Sequence, residues 1–271
     1  MIWKNRRILC LSILFMMLFV LPASLAPWIA PYDPETISLS EQLKPPSWEH
    51  PLGQDQNGSD ILSRLLYGGR ISMYVGFWVI GISGTIGVLI GLISGYYGGW
   101  LDTVLMRVVD ILLAFPGLLL AIALVAVLGP NLNNVVIALT AQGWVSYARL
   151  VRGQVLSVRE QEFVLAACTS GISDNRIMFR HILPNIIQPV IVQATFNLAG
   201  TIIAESSLSF LGLGVPSGTP SWGVMLSEGK DVLFEAPFVS IFPGLSIMVM
   251  VLLCNILGDA LRDYFDPKID S

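Results

Sequence analysis

The chain has 271 residues, of which 54% are hydrophobic and only 13% charged, with a formal net charge of −4 and a mean hydropathy of +0.70. Soluble domains carry about a quarter of their residues as charges, so this composition excludes a soluble globular protein and describes a chain solvated mainly by a bilayer. The net charge carries little weight, because topology follows the placement of Lys and Arg.

The N-terminal run "KNRRILCLSILFMMLFVLPASLAPW" has the basic start and apolar stretch of a secretory signal, and Ser24-Leu25-Ala26 resembles a cleavage site. The apolar run nevertheless extends from Ile8 to Ile29, the roughly 20 residues that a bilayer span needs. A retained first helix is expected. Further apolar stretches follow at 72–95, 103–128, 132–151, 188–213 and 237–258, which makes six spans. The fourth is the most polar, with Gln142, Trp144, Tyr147, Arg149 and Arg152 in its second half.

With Lys4, Arg6 and Arg7 in the cytoplasm, six spans place 11 of the 15 Lys and Arg residues inside and leave Lys44, Arg64, Arg70 and Lys230 outside. This split obeys the positive-inside rule and puts both termini in the cytoplasm. The expected division is an N-terminal helix at 1–30, an external loop at 31–71, a five-helix core at 72–258 with an internal loop at 157–187, and a cytoplasmic tail at 259–271. The long external stretches, 31–71 and 214–236, lack strand alternation and are expected to cap the helix ends.

Gly87, Gly91 and Gly95 recur every fourth residue in the second span, with Gly84 nearby. Such a face lets another helix approach closely, and internal packing is its simplest use. Asp110 and Glu205 are the carboxylates set within apolar spans. Ionisable groups at that depth are costly and pair or face a cavity, so both are candidates for lining a translocation path. Arg107, one turn before Asp110, is its expected partner. Glu205 has no cation within a turn on its own helix, which leaves a water-lined path or an inter-helix hydrogen bond.

Cys10, Cys168 and Cys254 are scattered and form no C-x-x-C pair, so they read as small buried hydrophobes. His50 and His181 fall on opposite sides of the membrane in this topology, which argues against a histidine metal or catalytic cluster. Neither a catalytic nor a metal-ligating set is expected. "GVMLSEGKD" is one residue too long between Gly223 and Gly229 for a phosphate loop, and Asp231 stands where Ser or Thr belongs. Directed transport would therefore draw its energy from another subunit or from an ion gradient.

The internal loop contains "EFVLAACTSGISDNRIMFRHILPN", residues 162–185. Phe163, Ala166 and Ala167 lie at i, i+3 and i+4 and predict a short helix with a shallow apolar face. Gly171 permits a turn, Ser173 can cap a second helix with Ile177 and Met178 on its apolar face, and Pro184 ends it. Arg159, Arg176 and Arg180 edge this pair. A helical hairpin with a small apolar knob and a basic rim suits a groove on a soluble partner; an amphipathic loop lying on anionic lipid is the alternative.

This segment resembles the EAA loop of ABC importer permeases, whose pattern is E-A-A, three residues, G, nine residues, I-x-L-P. Ala166, Ala167, Gly171, Leu183 and Pro184 occupy matching positions, while Leu165 stands in place of the Glu and His181 in place of the Ile. Both departures resemble the peptide and nickel branch of that family. "HPLGQDQNGSDILSRLLYGGRIS" is similar to that branch before its second span, although Ser59 replaces a usual Arg, and "DILLAFPGLLLAI", "ESSLSFLGLGVPSGTPSWGVML" and "LGDALRDYFDPK" resemble further segments in order.

The resemblance implies an all-α membrane protein with six transmembrane helices and the type I, MetI-like permease fold. It implies a multi-pass subunit of the bacterial cytoplasmic (inner) membrane, paired as a heterodimer with a homologous permease, two ABC ATPase subunits and an extracytoplasmic substrate-binding protein. Surrounded by lipid and without a nucleic-acid partner, such a chain imports di- or oligopeptides, nickel or metal chelates. It binds no cofactor, ATP and magnesium being used by the partner subunits. By the same resemblance Glu162, Phe163, Ala166, Ala167, Gly171, Ser173, Arg176, Leu183 and Pro184 form the ATPase-coupling loop. The alternative is an ion-gradient transporter or channel acting without ATPases, which would favour several intramembrane carboxylates and matching halves; only Asp110 and Glu205 qualify. A membrane enzyme would need a nucleophile, base and orienting group, and no such constellation is evident.

Overall fold

The structure is a computed structural model and describes residues 2–265 apart from position 217. Residues 266–271, including Lys268 and the end of the "LGDALRDYFDPK" likeness, lie outside the described residues. The helices are α1 (Ile2–Ser24), α2 (Ala26–Ile29), α3 (Ile61–Tyr97), α4 (Gly99–Leu113), α5 (Gly117–Leu128), α6 (Leu132–Val158), α7 (Glu162–Thr169), α8 (Asp174–Arg176), α9 (Leu183–Phe210), α10 (Trp222–Gly229) and α11 (Phe238–Phe265). Among the described residues there is no strand, only one antiparallel bridge between Gln54 and Asp60.

Three helices are long and apolar enough to cross a membrane, Ile61–Tyr97, Asp174–Phe210 and Phe238–Phe265, and the bent pair α4–α5 is a fourth if it counts as one span. The 27-residue α6 is more polar because the bundle encloses it. Val135, Ala138, Val145, Tyr147, Ala148, Val151 and Val155 are buried along it, and a helix covered by protein need not be apolar all round.

α3 has 37 residues, about 55 Å at 1.5 Å per residue, more than the roughly 30 Å of a hydrocarbon core. It starts well before residue 72 because Asp60 caps it: its carboxylate accepts from the Ser63 amide at 2.8 Å and from the Ser63 hydroxyl at 2.7 Å. Gly98, with φ of +65°, turns the chain directly into α4.

The glycine face of α3 lies on the backbone of α6. A methyl group at Gly91 would sit 2.7 Å from the Ala148 carbonyl, and one at Gly95 would sit 2.8 Å from Val155 Cβ. Gly87 faces Trp144, Tyr147 and Ala148 in the same way. The repeat is therefore used for internal packing.

The span expected at 103–128 is broken. α4 and α5 meet at 84°, because Pro116 supplies no N–H and disfavours a helical Phe115. Gln142 Nε2, from α6, donates to the carbonyls of Leu112 and Phe115 at 2.9 Å each and satisfies polar backbone groups freed at the break. Pro184 behaves in the opposite way to expectation. Rather than ending a helix, it lies within the continuous helix Asp174–Phe210, which passes through a π segment at Ile177–Ile182. The Leu183 amide bonds five residues back to Met178, and this wider turn seats the proline at the start of α9, where its missing N–H costs least.

At the other end of the bundle, 31–60 folds over α3. Gln54, Asp55, Ser59, Asp60 and Arg64 are all buried there. The Arg64 guanidinium bonds Asp55 and, at 2.8 Å, Glu228 of α10, so one cation joins the loop, α3 and α10. Trp222 of α10 donates to the Leu65 carbonyl at 3.0 Å, and its ring lies against Gly68 and Gly69, where a side chain would not fit. Of the cysteines, only Cys254 is buried; Cys10 and Cys168 are exposed, since each sits on the outer side of its helix.

Gly91→Leu should overpack the α3–α6 contact by about 1–3 kcal/mol and lower the melting temperature of the detergent-solubilised protein by fluorescence-detected size exclusion. Gly81→Ala, where nothing lies within 4 Å of the added methyl, should leave it unchanged or raise it.

Candidate functional site

The candidate site forms where α3 and α6 end together. Arg159, the residue after α6, donates from Nη1 to the Gly95 carbonyl at 2.9 Å. This ties the two helix ends together and removes Arg159 from the expected basic rim. The chain then turns through Gln161 into the eight-residue α7.

α7 is amphipathic in a way that separates the two alanines. Val164 and Ala167 (5% exposed) face inward, into a cluster with Leu92 of α3, Val155 and Val158 of α6, and Ile177, Ile182 and Ile186 of the following helix. Phe163 (40% exposed) and Leu165 (52%) point out, with Glu162 and Ala166. Ala167 thus corrects the expected docking face: it is part of the seat, because it and Val164 are the residues aimed at the cluster.

Gly171 ends the element at φ +74°, with its amide on the Cys168 carbonyl at 3.1 Å and the Ile172 amide on the Ala167 carbonyl at 3.3 Å. A side chain there would meet nothing within 4 Å, so the demand for glycine is conformational. Ser173 takes the N-cap position of α8, but its side chain makes no capping bond. Instead Asp174 accepts from Tyr96 of α3 at 2.8 Å.

Ile177 and Met178 are buried, while Arg176, Phe179 and Arg180 are exposed. Leu183 and Pro184 belong to the long helix. The expected helical hairpin is therefore one short helix followed by the first turns of a span, all resting on a single apolar cluster. A force applied to the outer face of α7 acts on α3, α6 and α9 together.

The two intramembrane carboxylates go elsewhere. Asp110 is exposed and faces Arg149 of α6 at 3.9 Å; the expected pairing with Arg107 is replaced because α6 brings its own cation alongside α4. Glu205 is 1% exposed and accepts from Ser72 of α3 and Ser209 at 2.8 Å each, with Ser206 at 3.5 Å. That is an inter-helix hydrogen-bond knot. Sequence reasoning missed a cavity of about 370 Å³ beside the α4–α5 break, with Ser83, Gln142, Ser146, Asn197 and Thr201 in its wall. The signal was there: Asn197 and Thr201 lie one turn apart on one face of α9, opposite Gln142 and Ser146 of α6.

Residues 87–271 match the family model described as binding-protein-dependent transport system inner membrane component, and residues 3–46 match the N-terminal transmembrane domain of oligopeptide transport permease C. The chain is 43% identical over 268 residues, 99% of its length and 88% of the relative's, to a dipeptide transport system permease protein of Alkalihalophilus pseudofirmus. It is 45% identical over 268 residues, 98% of its length and 88% of the relative's, to a glutathione transport system permease protein of Escherichia coli. Among solved structures it is similar to a chain of an inward-facing methionine ABC transporter, with a TM-score of 0.59 and 18% identity over 76% of this chain and 98% of that one. At that identity the likeness concerns the fold.

Ala167→Leu should loosen the seat of α7 by about 1–3 kcal/mol and speed amide hydrogen exchange across residues 160–173 roughly tenfold or more. Ala166→Leu, one residue away but exposed, should leave exchange there unchanged.

Proposed function

The chain belongs to the binding-protein-dependent transport system inner membrane component family, as a multi-pass ABC importer permease whose ATP hydrolysis is carried by separate subunits, and from that premise we propose that it imports peptides and is driven through α7. The peptide reading draws on the dipeptide and glutathione relatives and on the oligopeptide permease likeness of residues 3–46. A permease of this family works with an ATPase and a substrate-binding protein. The finer assembly proposed is a heterodimer with a homologous permease on two ATPase subunits, in the bacterial inner membrane. Both termini would be cytoplasmic, following the Lys and Arg distribution. In this arrangement the chain holds no cofactor, and ATP with magnesium stays in the ATPases.

The observation that carries the mechanism is the two-sided α7. Its exposed residues Glu162, Phe163, Leu165 and Ala166 offer a small apolar knob with a charge at its start, and the exposed Arg176 follows in α8, the kind of element that fits a groove. Its buried residues Val164 and Ala167 share one cluster with three membrane helices. An ATPase cleft that closes on the knob would move the ends of α6 and α9 with it. For coupling, the cleft must bind α7 with different free energy in the open and closed states, because a contact of equal strength in both shifts nothing.

Gly171→Pro forces a φ near −65° on a residue held at +74°, and Arg176→Glu reverses an exposed charge in the segment that follows α7. Both should leave membrane insertion normal while lowering substrate-stimulated ATPase activity of the assembled transporter by about tenfold, the loss of a strong interface contact. Wild-type stimulation in both variants would remove α7 as the coupling element.

A further inference from the structure

A second cavity, of about 640 Å³, lies where helix ends gather at one face of the bundle. Its walls come from the stretch 27–35 around the end of α2, the first turns of α3, Leu132 at the start of α6, and Thr219-Pro220. The apolar stretches of the first, second and fourth expected spans end or begin here, at residues 29, 72 and 132, so the cavity sits at the depth of lipid headgroups. The side chains beside it agree: Tyr74, Phe77 and Trp78 are exposed on α3, like the aromatic belts of membrane interfaces.

Both signs of charge line this cavity, and neither is satisfied by the other. The Arg70 guanidinium is exposed and has no ion pair or hydrogen bond among the described residues. Asp33 and Glu35 are exposed in the same wall without a cation of their own, and the Asp33 carboxylate accepts only from the Glu35 amide, at 2.9 Å. Along α3 from Arg70, residues Tyr74, Phe77 and Gly81 follow at i+4, i+7 and i+11 on one helix face. A methyl group at Gly81 would meet nothing within 4 Å, so that face is open toward the bilayer core.

We propose that the cavity holds the headgroup of a phospholipid carrying a phosphodiester and a primary ammonium, with its acyl chains along Tyr74, Phe77 and Gly81. The planar fork of Arg70 suits a phosphate. Asp33 and Glu35 accept from the ammonium, a bond that a trimethylated headgroup cannot donate. The cavity volume falls in the range of small-ligand sites. A lipid seated in this way joins the stretch 31–35 to the start of α3, and it stands apart from the cavity beside the α4–α5 break.

The test uses the complete transporter in nanodiscs of phosphatidylglycerol mixed with either phosphatidylethanolamine or phosphatidylcholine, read by amide hydrogen exchange over residues 28–35. In the wild type the ethanolamine lipid should slow exchange there about tenfold relative to the choline lipid, the worth of a hydrogen bond between charged groups. Arg70→Gln should abolish the difference, and Arg70→Lys should keep most of it. Asp33→Asn combined with Glu35→Gln, which preserves the oxygen that accepts from the Glu35 amide, should also abolish it. Equal exchange in the two lipids for the wild type, or a difference that survives in either neutralised variant, overturns the site. Protection of 28–35 in the choline lipid on adding Ala-Ala overturns it as well and assigns the cavity to substrate. Loss of a partner subunit from the purified Arg70→Gln complex overturns it and assigns the cavity to a subunit contact.

Discussion

The close approach of α3 to α6 is the constraint on which the rest of the molecule depends. Three missing side chains, at Gly87, Gly91 and Gly95, let the backbone of α6 rest on α3. In lipid this contact gains little from the hydrophobic effect and relies on packing, which small residues make dense. It brings the ends of the two helices to one place, where Arg159 closes on Gly95. Without that junction Leu92, Val155 and Val158 would not form the floor on which Val164 and Ala167 sit. α7 itself is only eight residues long; the floor holds it in place.

The same pairing shapes the cavity beside the α4–α5 break. With α6 fixed against α3, Gln142 is carried to the α4–α5 break, where it bonds the Leu112 and Phe115 carbonyls. A proline break inside a membrane is tolerable only when the freed backbone groups find partners, and the sharp bend leaves open space beside α6 and α9. At the opposite end, Arg64 between Asp55 and Glu228 locks the loop 31–60 and α10 onto α3. Breaking such a buried pair leaves an uncompensated charge, which is how a polar cluster specifies one arrangement of segments.

The sequence made the elements and the packing face readable, because apolar length and a four-residue glycine repeat are local signals. It was less informative wherever the outcome depended on a neighbour. Phe115-Pro116-Gly117 sits inside a long apolar run, so the run looked like one span; the bend is stable only because Gln142 is across from it. Pro184 reads as a stop, and only the π segment before it lets the helix continue. Ala166 and Ala167 are chemically alike, and which one faces out is decided by the cluster below α7. Asp110 could be paired on paper only with its own helix, while Arg149 arrives from another. Which residues of 162–173 face outward and which sit on the cluster is decided by the fold.

The central claim, that the outer side of α7 meets an ATPase, can be tested through Cys168, which is exposed on that helix. With Cys10 replaced by serine and Cys254 buried, a maleimide cross-linker applied to membranes containing the full transporter should join Cys168 to an ATPase subunit. The yield should change when ATP and magnesium are added, as the cleft closes. Cross-links from Cys168 only to the membrane subunits, at every spacer length and in both nucleotide states, would contradict the account.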